Sequence, residues 1–412
     1  MDFIFFLKPI VDMLYAYQIL DIALLLVAIF CFSKGKIIRL HAMDFIVFFL
    51  LVMFTFSLLR NIEGFREYLK ISSGFFLYYL GRMYYKYWPK YLFQLQRGFL
   101  IILVITMISY FIGSGFTQWG SVNTFTGYYF FKTDLAAAMA QCAVVFCLLP
   151  RLRKMDYLIL AICSYFVVIS NTRMYYFIIF ILFFLIFYYQ KYPNKRIRIN
   201  GKFYIIIAAS IIGLLIILNI IGQYVESLLL FKFENASDLM DGSNTQGRNQ
   251  IWEGIYSYFA KQNFLTRLTG IDLISDGLHG GHDSHNVYLK ILYSTGYLGI
   301  GLFLLFIFTG FYFINKVKSS RLFYVTSSLF GIFLLGGMSY STILSTQVSW
   351  LPMFFIGVCI SEYSHNYTPN EIALLRIYSS LTFFNPFWRK AFYRRKRVIN
   401  SLLEKYNREK VK

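Results

Sequence analysis

Charged side chains are scarce in this chain, and acidic side chains are the scarcer kind. Only 15% of the 412 residues are charged, and 20 acidic residues stand against 40 lysines and arginines. With 58% hydrophobic residues, this shortage of charge excludes a water-soluble domain and indicates an integral membrane protein. The basic residues lie mainly between hydrophobic segments, as in loops held against anionic lipid, so no nucleic-acid partner is expected.

Cysteine is also scarce, and its placement excludes two classes of site. All five cysteines lie within apolar runs, at Cys31, Cys142, Cys147, Cys163 and Cys359. They provide neither the loop positions of a disulfide framework nor a Cys-x-x-Cys metal spacing. The N-terminus lacks the basic start and the small-residue cleavage pattern of a signal peptide, so the first helix is expected to stay in the mature protein.

Long apolar runs are what the chain has in abundance. A spanning helix needs about 20 mostly apolar residues, and this rule predicts an all-α polytopic membrane protein with about eleven (10–12) transmembrane helices. The predicted spans lie near residues 14–33, 43–60, 70–87, 97–115, 133–150, 156–170, 173–190, 203–221, 287–311, 322–341 and 345–361. Residues 3–13 are apolar but short, and they are interpreted as an interfacial segment, a re-entrant segment or part of a twelfth span.

The placement of lysine and arginine predicts the orientation, because basic residues in short loops stay on the cytoplasmic side. With the C-terminus inside, the alternation holds at every loop. The chain then divides into N-terminal transmembrane helices (1–221), one large extracytoplasmic loop (222–286), C-terminal transmembrane helices (287–361) and a basic amphipathic cytoplasmic tail (362–412). The tail is typical of an interfacial helix on anionic lipid, with a regulatory partner as the alternative.

The large loop contains a predicted amphipathic helix. Its N-caps come from residues 243–245, it starts near Gly247, and it is expected to lie flat on the outer leaflet. Its apolar residues follow at helical spacing, at Ile251, Trp252, Ile255, Tyr256 and Phe259. Arg248 falls in the first turn, where the helix dipole disfavours a cation. It is interpreted either as the partner of an anionic ligand or as a snorkelling surface arginine.

A second arginine, Arg173, stands at the exterior mouth of a predicted span, on the side that basic residues usually avoid. A charge at such a position is a functional-site hypothesis by default. Arginine rather than lysine suits a fork-shaped contact to phosphate oxygens. The alternative is that a short turn between two spans simply contains a polar residue.

Three of the five histidines lie within seven residues of one another, at His279, His282 and His285, beside Asp276 and Asp283. These side chains could ligate zinc, but their spacing matches neither a helical His-x-x-x-His face nor a zinc finger, so no metal site is predicted. His279 and His282 are interpreted as loop histidines, with or without a function.

His285 differs from the other two because a helix is expected to follow it directly. Asp283 or Ser284 is predicted to cap a helix that begins with Asn286, which puts the imidazole at a helix N-terminus. The positive end of the helix dipole disfavours the imidazolium form and favours a neutral ring. A neutral imidazole is a competent general base.

The motifs around His285 resemble those of the bacterial O-antigen polymerase and O-antigen ligase superfamily. Residues 285–289 (His-Asn-Val-Tyr-Leu) are followed by residues 296–299 (Gly-Tyr-Leu-Gly), and ten residues separate His285 from Gly296. The large exterior loop, Arg173 at the start of the span before it, and the Arg-x-x-x-Trp pattern of Arg248 and Trp252 are also similar to that superfamily. The stretch from Lys132 to Asp134 matches only loosely, so neither residue is assigned a role.

This resemblance implies a membrane glycosyltransferase on the outer face of the bacterial cytoplasmic membrane, acting on undecaprenyl-diphosphate-linked glycans. His285, Arg173 and Arg248 would be catalytic, and Asn286, His282 and Trp252 would bind substrate, with a helix cap as the alternative for Asn286. No cofactor is expected. A chain-length regulator and a flippase are candidate partners.

Three activities remain open from the sequence. A polymerase would join lipid-linked repeat units, and a ligase would transfer finished polymer to a terminal acceptor; both would use the same residues. A lipid-linked oligosaccharide transporter would instead be expected to have paired charges or broken helices near the bilayer midplane. In the sequence the polar residues gather at the exterior face.

Overall fold

The computed structural model describes residues 1–14, 19–33, 40–119, 122–148, 152, 154–193, 248–274 and 285–364, most of which are helical. The predicted span at 203–221 and the tail beyond residue 364 lie outside the described residues. In chain order, the first eight helices are α1 (Asp2–Met13), α2 (Ile19–Ser33), α3 (Ala42–Arg60), α4 (Phe65–Met83), α5 (Trp88–Ile112), α6 (Lys132–Cys147), α7 (Lys154–Ile169) and α8 (Arg173–Lys191). They are followed by α9 (Arg248–Ala260), α10 (Phe264–Thr269), α11 (Val287–Lys316), α12 (Ser320–Gly336) and α13 (Thr346–Ser364).

A helix stands at each predicted span within the described residues. Among the residues that the structure describes, four helical stretches are long and apolar enough to cross a membrane: Ala42–Arg60, Tyr85–Ile112, Arg173–Lys191 and Val287–Lys316. Helix α11 also carries a stripe of exposed apolar side chains at helical spacing, which includes Leu298, Leu305, Phe308 and Tyr312. Such a continuous apolar stripe is suited to contact with lipid rather than with water.

Helices α6 and α13 form the centre of the bundle, because their side chains are buried on nearly every face. Helix α13 packs most extensively on α4. Small residues permit the close approach of these two helices: an added Cβ on Gly74 would lie 3.2 Å from the Ser349 hydroxyl oxygen. The Trp350 indole N–H donates to the Ser73 hydroxyl oxygen at 2.7 Å and fixes the register of the pair.

The short apolar segment at residues 3–13 is helix α1, which packs along α5. Its Lys8 side chain is buried and forms an ion pair with Asp12 one turn later. The Lys8 ammonium also donates to the Thr346 hydroxyl oxygen at 3.1 Å and lies 4.2 Å from the centre of the Trp350 ring. A buried lysine is stabilised only when it has such partners.

A second buried ion pair joins the start of α3 to the end of α4. The Asp44 carboxylate accepts from the Arg82 guanidinium at both oxygens, at 3.1 Å each. It also accepts from the Tyr78 hydroxyl and the His41 backbone N–H, both at 2.6 Å. Arg82 in turn donates to the Ser361 hydroxyl oxygen at 2.9 Å, so the network holds three helices together.

Two features of the fold were not predicted: a β-hairpin in the loop between two spans, and a break within one of the predicted helices. Residues Phe116–Trp119 (β1) and Val122–Phe125 (β2) form an antiparallel hairpin between α5 and α6. Helix α11 is broken at Gly296, where the backbone has φ 69° and ψ −165°. The break frees the Tyr293 carbonyl oxygen, which accepts from the Ile271 N–H at 2.8 Å, so the chain after α10 closes against the break.

We expect Gly296→Ala to destabilise the protein by at least about 1–3 kcal/mol, because this backbone conformation is almost restricted to glycine. An added Cβ would also stand 2.5 Å from the Gly270 nitrogen and from the Leu268 carbonyl atoms. Gly301→Ala is the matched control, since no atom lies within 4 Å of a Cβ there. In detergent, the midpoint temperature of thermal unfolding should be lower for Gly296→Ala than for Gly301→Ala. Equal midpoint temperatures would contradict the claim that the break at Gly296 requires glycine.

Candidate functional site

The start of helix α11 is set by Asn286. Its side-chain oxygen accepts from the backbone N–H groups of Tyr288 (2.9 Å) and Leu289 (3.2 Å). The helix therefore begins at Val287, and the prediction that Asp283 or Ser284 caps a helix beginning with Asn286 is wrong. The physical reason is that an Asn side chain at the N-cap reaches the first free N–H groups of the helix itself. His285 lies immediately before this cap.

The backbone at His285 is strained. Within the described ranges, His285 (φ 46°) and Asn171 (φ 52°) are the non-glycine residues with positive φ. Left-handed backbone is uncommon for residues with a side chain and clusters at functional sites, where surrounding structure maintains it. Asn171, a residue type that tolerates this conformation, lies two residues before Arg173, the first residue of α8. His285 lies two residues before Val287, the first residue of α11.

Arg173 is the first residue of helix α8 and is half-buried. Two residues further on, Tyr175 is fully buried. Its hydroxyl oxygen lies 2.9 Å from the position that a Cβ on Gly336 would occupy, so the start of α8 packs against the end of α12. The N-terminus of a helix presents free N–H groups, and a guanidinium there adds positive charge to the positive end of the dipole.

Residues 336–342 comprise the last residue of α12 and the connection that follows it, and we call them the 336–342 turn. This turn contacts the starts of both α8 and α11. The Val287 N–H donates to the Gly337 carbonyl oxygen at 2.7 Å. A Cβ on Gly337 would stand 2.5 Å from the Val287 side chain, so the two backbones are as close as glycine permits. The structure thus brings the helix start beside His285 and the helix start at Arg173 to one turn.

The same turn also contacts an acidic residue to which the sequence assigned no role. The Tyr340 hydroxyl donates to the Asp134 Oδ1 atom at 3.0 Å, and the Gln347 side-chain amide donates to the Asp134 carbonyl oxygen at 2.5 Å. Asp134 lies in the first turn of α6 and is 1% exposed. Its second carboxylate oxygen, Oδ2, has no hydrogen-bond partner. A carboxylate at a helix N-terminus within a predicted span is the signal that could have identified it.

Helix α9 packs on the broken part of α11. Ile255 and Phe259 are buried at this contact, and the ring centres of Phe259 and Tyr297 are 5.5 Å apart. The predicted loop helix is therefore present, with its first residue at Arg248, and Trp252 lies half-buried one turn before Ile255. The side chain of Arg248 lies outside what the structure describes.

Basic side chains tie the loop after α10 to the bundle. The Lys290 ammonium donates to the Leu273 carbonyl oxygen at 2.5 Å. Arg60, the last residue of α3, donates to the Gly270 carbonyl oxygen and, at 2.5 Å, to the Thr269 hydroxyl. These contacts hold the chain that leads from α9 towards His285.

The loop that carries His279 and His282 (residues 275–284) lies outside the described residues, so the substrate-binding role predicted for His282 is not placed. In the described part, no group of three or more His, Cys, Asp or Glu side chains could hold a metal ion.

Asn286→Ala should destabilise helix α11 by about 0.5–2 kcal/mol, because two N–H groups lose their acceptor. Asn286→Ser should restore most of this stability, since serine caps nearly as well as asparagine. Protection of the Tyr288 and Leu289 amides against hydrogen exchange measures the effect directly. If the serine variant were as unprotected as the alanine variant, capping would not be the role of Asn286.

The chain matches no protein-family model and no curated protein at a significant level. Its function is therefore inferred from the geometry around the 336–342 turn and from the motifs around His285 and Arg173.

Proposed function

We propose that this protein is a polysaccharide polymerase that joins undecaprenyl-diphosphate-linked oligosaccharide units on the outer face of the bacterial cytoplasmic membrane. The observation that carries the proposal is the convergence of two helix starts on the 336–342 turn, one beginning at Arg173 and one just after His285. Each follows a left-handed non-glycine residue. The unusual backbone at His285 is expected where a side chain must be aimed at a substrate.

The proposed architecture has about eleven transmembrane helices (10–12), with the large loop outside and the C-terminal tail inside. In the described part of the chain, four helices with the length and apolarity to cross a membrane support a membrane-spanning bundle. The helix starts at Arg173 and after His285 would then lie at the extracytoplasmic end of the bundle. A lipid-linked glycan in the outer leaflet would present its diphosphate at this depth.

Arg173 would stabilise the leaving diphosphate. When the bond between the anomeric carbon and the diphosphate oxygen breaks, the electron pair stays with the diphosphate, and negative charge develops there. A guanidinium can donate two parallel hydrogen bonds to such oxygens, and the free N–H groups of a helix N-terminus add to the attraction. Arg248, the first residue of α9, would act in the same way.

His285 would act as the general base. The acceptor hydroxyl forms a bond to the anomeric carbon, and its proton passes to the imidazole, a contribution typically worth about 10²–10⁴ in rate. The cap at Asn286 supports this role, because it fixes the backbone that carries His285. Trp252 and His282 would bind the sugar rings, the indole providing an apolar face.

Two further activities are compatible with the fold. An O-antigen ligase would use the same groups to transfer finished polymer to a terminal acceptor. A lipid-linked oligosaccharide transporter is favoured by two specific observations, since the buried Lys8–Asp12 pair and the break at Gly296 are features of carriers. Both features lie in the bundle core, whereas Arg173 and His285 lie at helix starts, where a lipid diphosphate is accessible. The positions of these two residues therefore favour glycosyl transfer over transport.

Replacement of Arg173 by glutamine should lower polymer formation about 10²–10³-fold, the usual cost of removing one donor to a developing anion. Arg173→Lys should retain part of the activity, because it keeps the charge but loses the forked contact. Exposed Arg66 provides a control, and Arg66→Gln should have normal activity. Polymer formed per unit of membrane protein is the measurement, and a fully active Arg173→Gln variant would exclude the diphosphate role.

The role of the His285 imidazole can be separated from that of its backbone. Glycine and asparagine tolerate left-handed backbone, whereas alanine does not. We expect His285→Gly, His285→Asn and His285→Ala all to accumulate single-repeat material when they replace the natural protein in its host, as seen by polysaccharide length on a gel. Long chains in the glycine and asparagine variants, with loss only in the alanine variant, would show that only the backbone conformation matters.

A further inference from the structure

The side chains around Asp134 form a buried polar cluster that none of the proposed catalytic steps uses. We call Asp134, Tyr129, Tyr175, Tyr340 and Gln347 the Asp134 cluster. Asp134 is 1% exposed, Tyr129 4% and Tyr175 0%. The members come from three separate parts of the chain: residues 129–134 before and within α6, Tyr175 in α8, and residues 340–347 before and within α13.

Several polar atoms of this cluster have no hydrogen-bond partner. They are the Oδ2 atom of Asp134, the hydroxyl oxygens of Tyr129 and Tyr175, and the side-chain oxygen of Gln347. Buried polar groups are normally paired, because an unpaired group loses its contacts with water and gains nothing in return. A group of such atoms around one carboxylate indicates a place for a polar ligand.

The carboxylate of Asp134 is held in one orientation. Tyr340 donates to Oδ1 at 3.0 Å, and the Gln347 amide N–H group donates to the backbone carbonyl oxygen of the same residue. The Phe131 backbone N–H also forms a hydrogen bond with the carboxylate, while Oδ2 has no hydrogen-bond partner. Tyr129 and Tyr175 lie close enough to interact electrostatically with the carboxylate, yet neither hydroxyl donates to it.

The free atoms include donors as well as acceptors. Burial, followed by the charge of Asp12, raises the pKa of Tyr129 well above its ordinary value, so this phenol keeps its proton and can donate. Asp134 Oδ2 and the Gln347 oxygen can only accept. A ligand that satisfies them must carry groups that both donate and accept, which is the chemistry of sugar hydroxyls.

Nearby positive charge makes a metal cation a poor alternative. The Asp134 carboxylate interacts electrostatically with Lys70, which lies in the first part of α4. The positive charge of Lys70 reduces the attraction of this carboxylate for a cation. A neutral, hydroxyl-bearing ligand has no such penalty.

The cluster also lies beside the proposed catalytic groups. Tyr340 belongs to the 336–342 turn, to which the start of α11 is bonded at Gly337. Tyr175 lies two residues after Arg173 and packs on Gly336 of the same turn. A saccharide held at Asp134 would therefore stand next to the groups that act on the diphosphate and on the acceptor hydroxyl.

We propose that the Asp134 cluster is the binding site for the acceptor saccharide, with Asp134 Oδ2 and the Gln347 oxygen accepting from its hydroxyl groups and the two tyrosines donating to them. That this saccharide is the acceptor rests on the proposed polymerase function, whereas the binding of a saccharide at Asp134 does not depend on that function.

The test is equilibrium binding of the repeat-unit oligosaccharide, released by mild acid from the lipid-linked glycan of the host, to the purified full-length protein in nanodiscs. Asp134→Asn keeps the Tyr340 contact but replaces the Oδ2 acceptor by a donor, and we expect its Kd to rise about 10–100-fold, as for loss of a hydrogen bond to a charged group. Tyr175→Phe should raise Kd about 3–10-fold.

Two matched variants control for general effects of buried substitutions. Asp156, in the first turn of α7, is also a buried acid. Tyr189 is a buried tyrosine on the same helix as Tyr175, and its ring packs against that of Tyr324 with the centres 4.8 Å apart. Asp156→Asn and Tyr189→Phe should bind the oligosaccharide as the natural protein does.

Unchanged Kd values in Asp134→Asn and Tyr175→Phe would overturn the saccharide site. A cation site would also overturn the proposal. It would be identified if sodium stabilised the natural protein but not Asp134→Asn, while the oligosaccharide bound to neither. If Asp134→Asn fails to fold, the Kd of Tyr175→Phe for the oligosaccharide decides whether the proposed site is correct. If the natural protein binds the oligosaccharide through Asp134 but transfers no glycan, the saccharide site stands and the proposed polymerase function fails.

Discussion

The hydrogen bond from the Val287 N–H to the Gly337 carbonyl oxygen fixes the relation between the two halves of the site. Val287 is the first residue of α11, so this N–H has no partner within its own helix. Glycine is required on the other side, since a Cβ on Gly337 would stand 2.5 Å from the Val287 side chain. The bond holds His285 and the capping residue Asn286 against the 336–342 turn. The same turn packs on α8 near Arg173, and its Tyr340 contacts α6.

The two buried carboxylates of α3 and α6 show how the two regions of the bundle differ. Both oxygens of Asp44 are satisfied, by Arg82, Tyr78 and the His41 N–H, so that network locks helices together and has no capacity left for a ligand. Asp134 has one oxygen bonded and one free. A fully paired buried network contributes a fixed geometry, whereas an incompletely paired one is stable only when something else supplies the missing contacts. This contrast is the physical reason why Asp134, and not Asp44, is proposed to bind a ligand.

The helices could be predicted from the sequence because apolar runs of the right length leave few other structures for the backbone in lipid. The amphipathic helix at Arg248–Ala260 was also predictable from its spacing. The start of α11 was misplaced by one residue, since Asp283, Ser284 and Asn286 are all good caps and only the fold selects among them. The left-handed backbone at His285, the break at Gly296 and the contact between Asp134 and Tyr340 depend on packing between segments far apart in the chain. A single sequence contains no signal that pairs those segments.

The central claim is that the protein forms glycosidic bonds and releases a lipid diphosphate. The most direct measurement places the purified protein in liposomes that contain the lipid-linked repeat unit of its host and follows polymer length together with free undecaprenyl diphosphate. Glycosyl transfer releases one lipid diphosphate for each new glycosidic bond. We therefore expect the amount of free undecaprenyl diphosphate to equal the number of new bonds as the polymer grows. Movement of intact lipid-linked units between the leaflets, with no free lipid diphosphate and no longer glycan, would contradict the claim and identify a transporter.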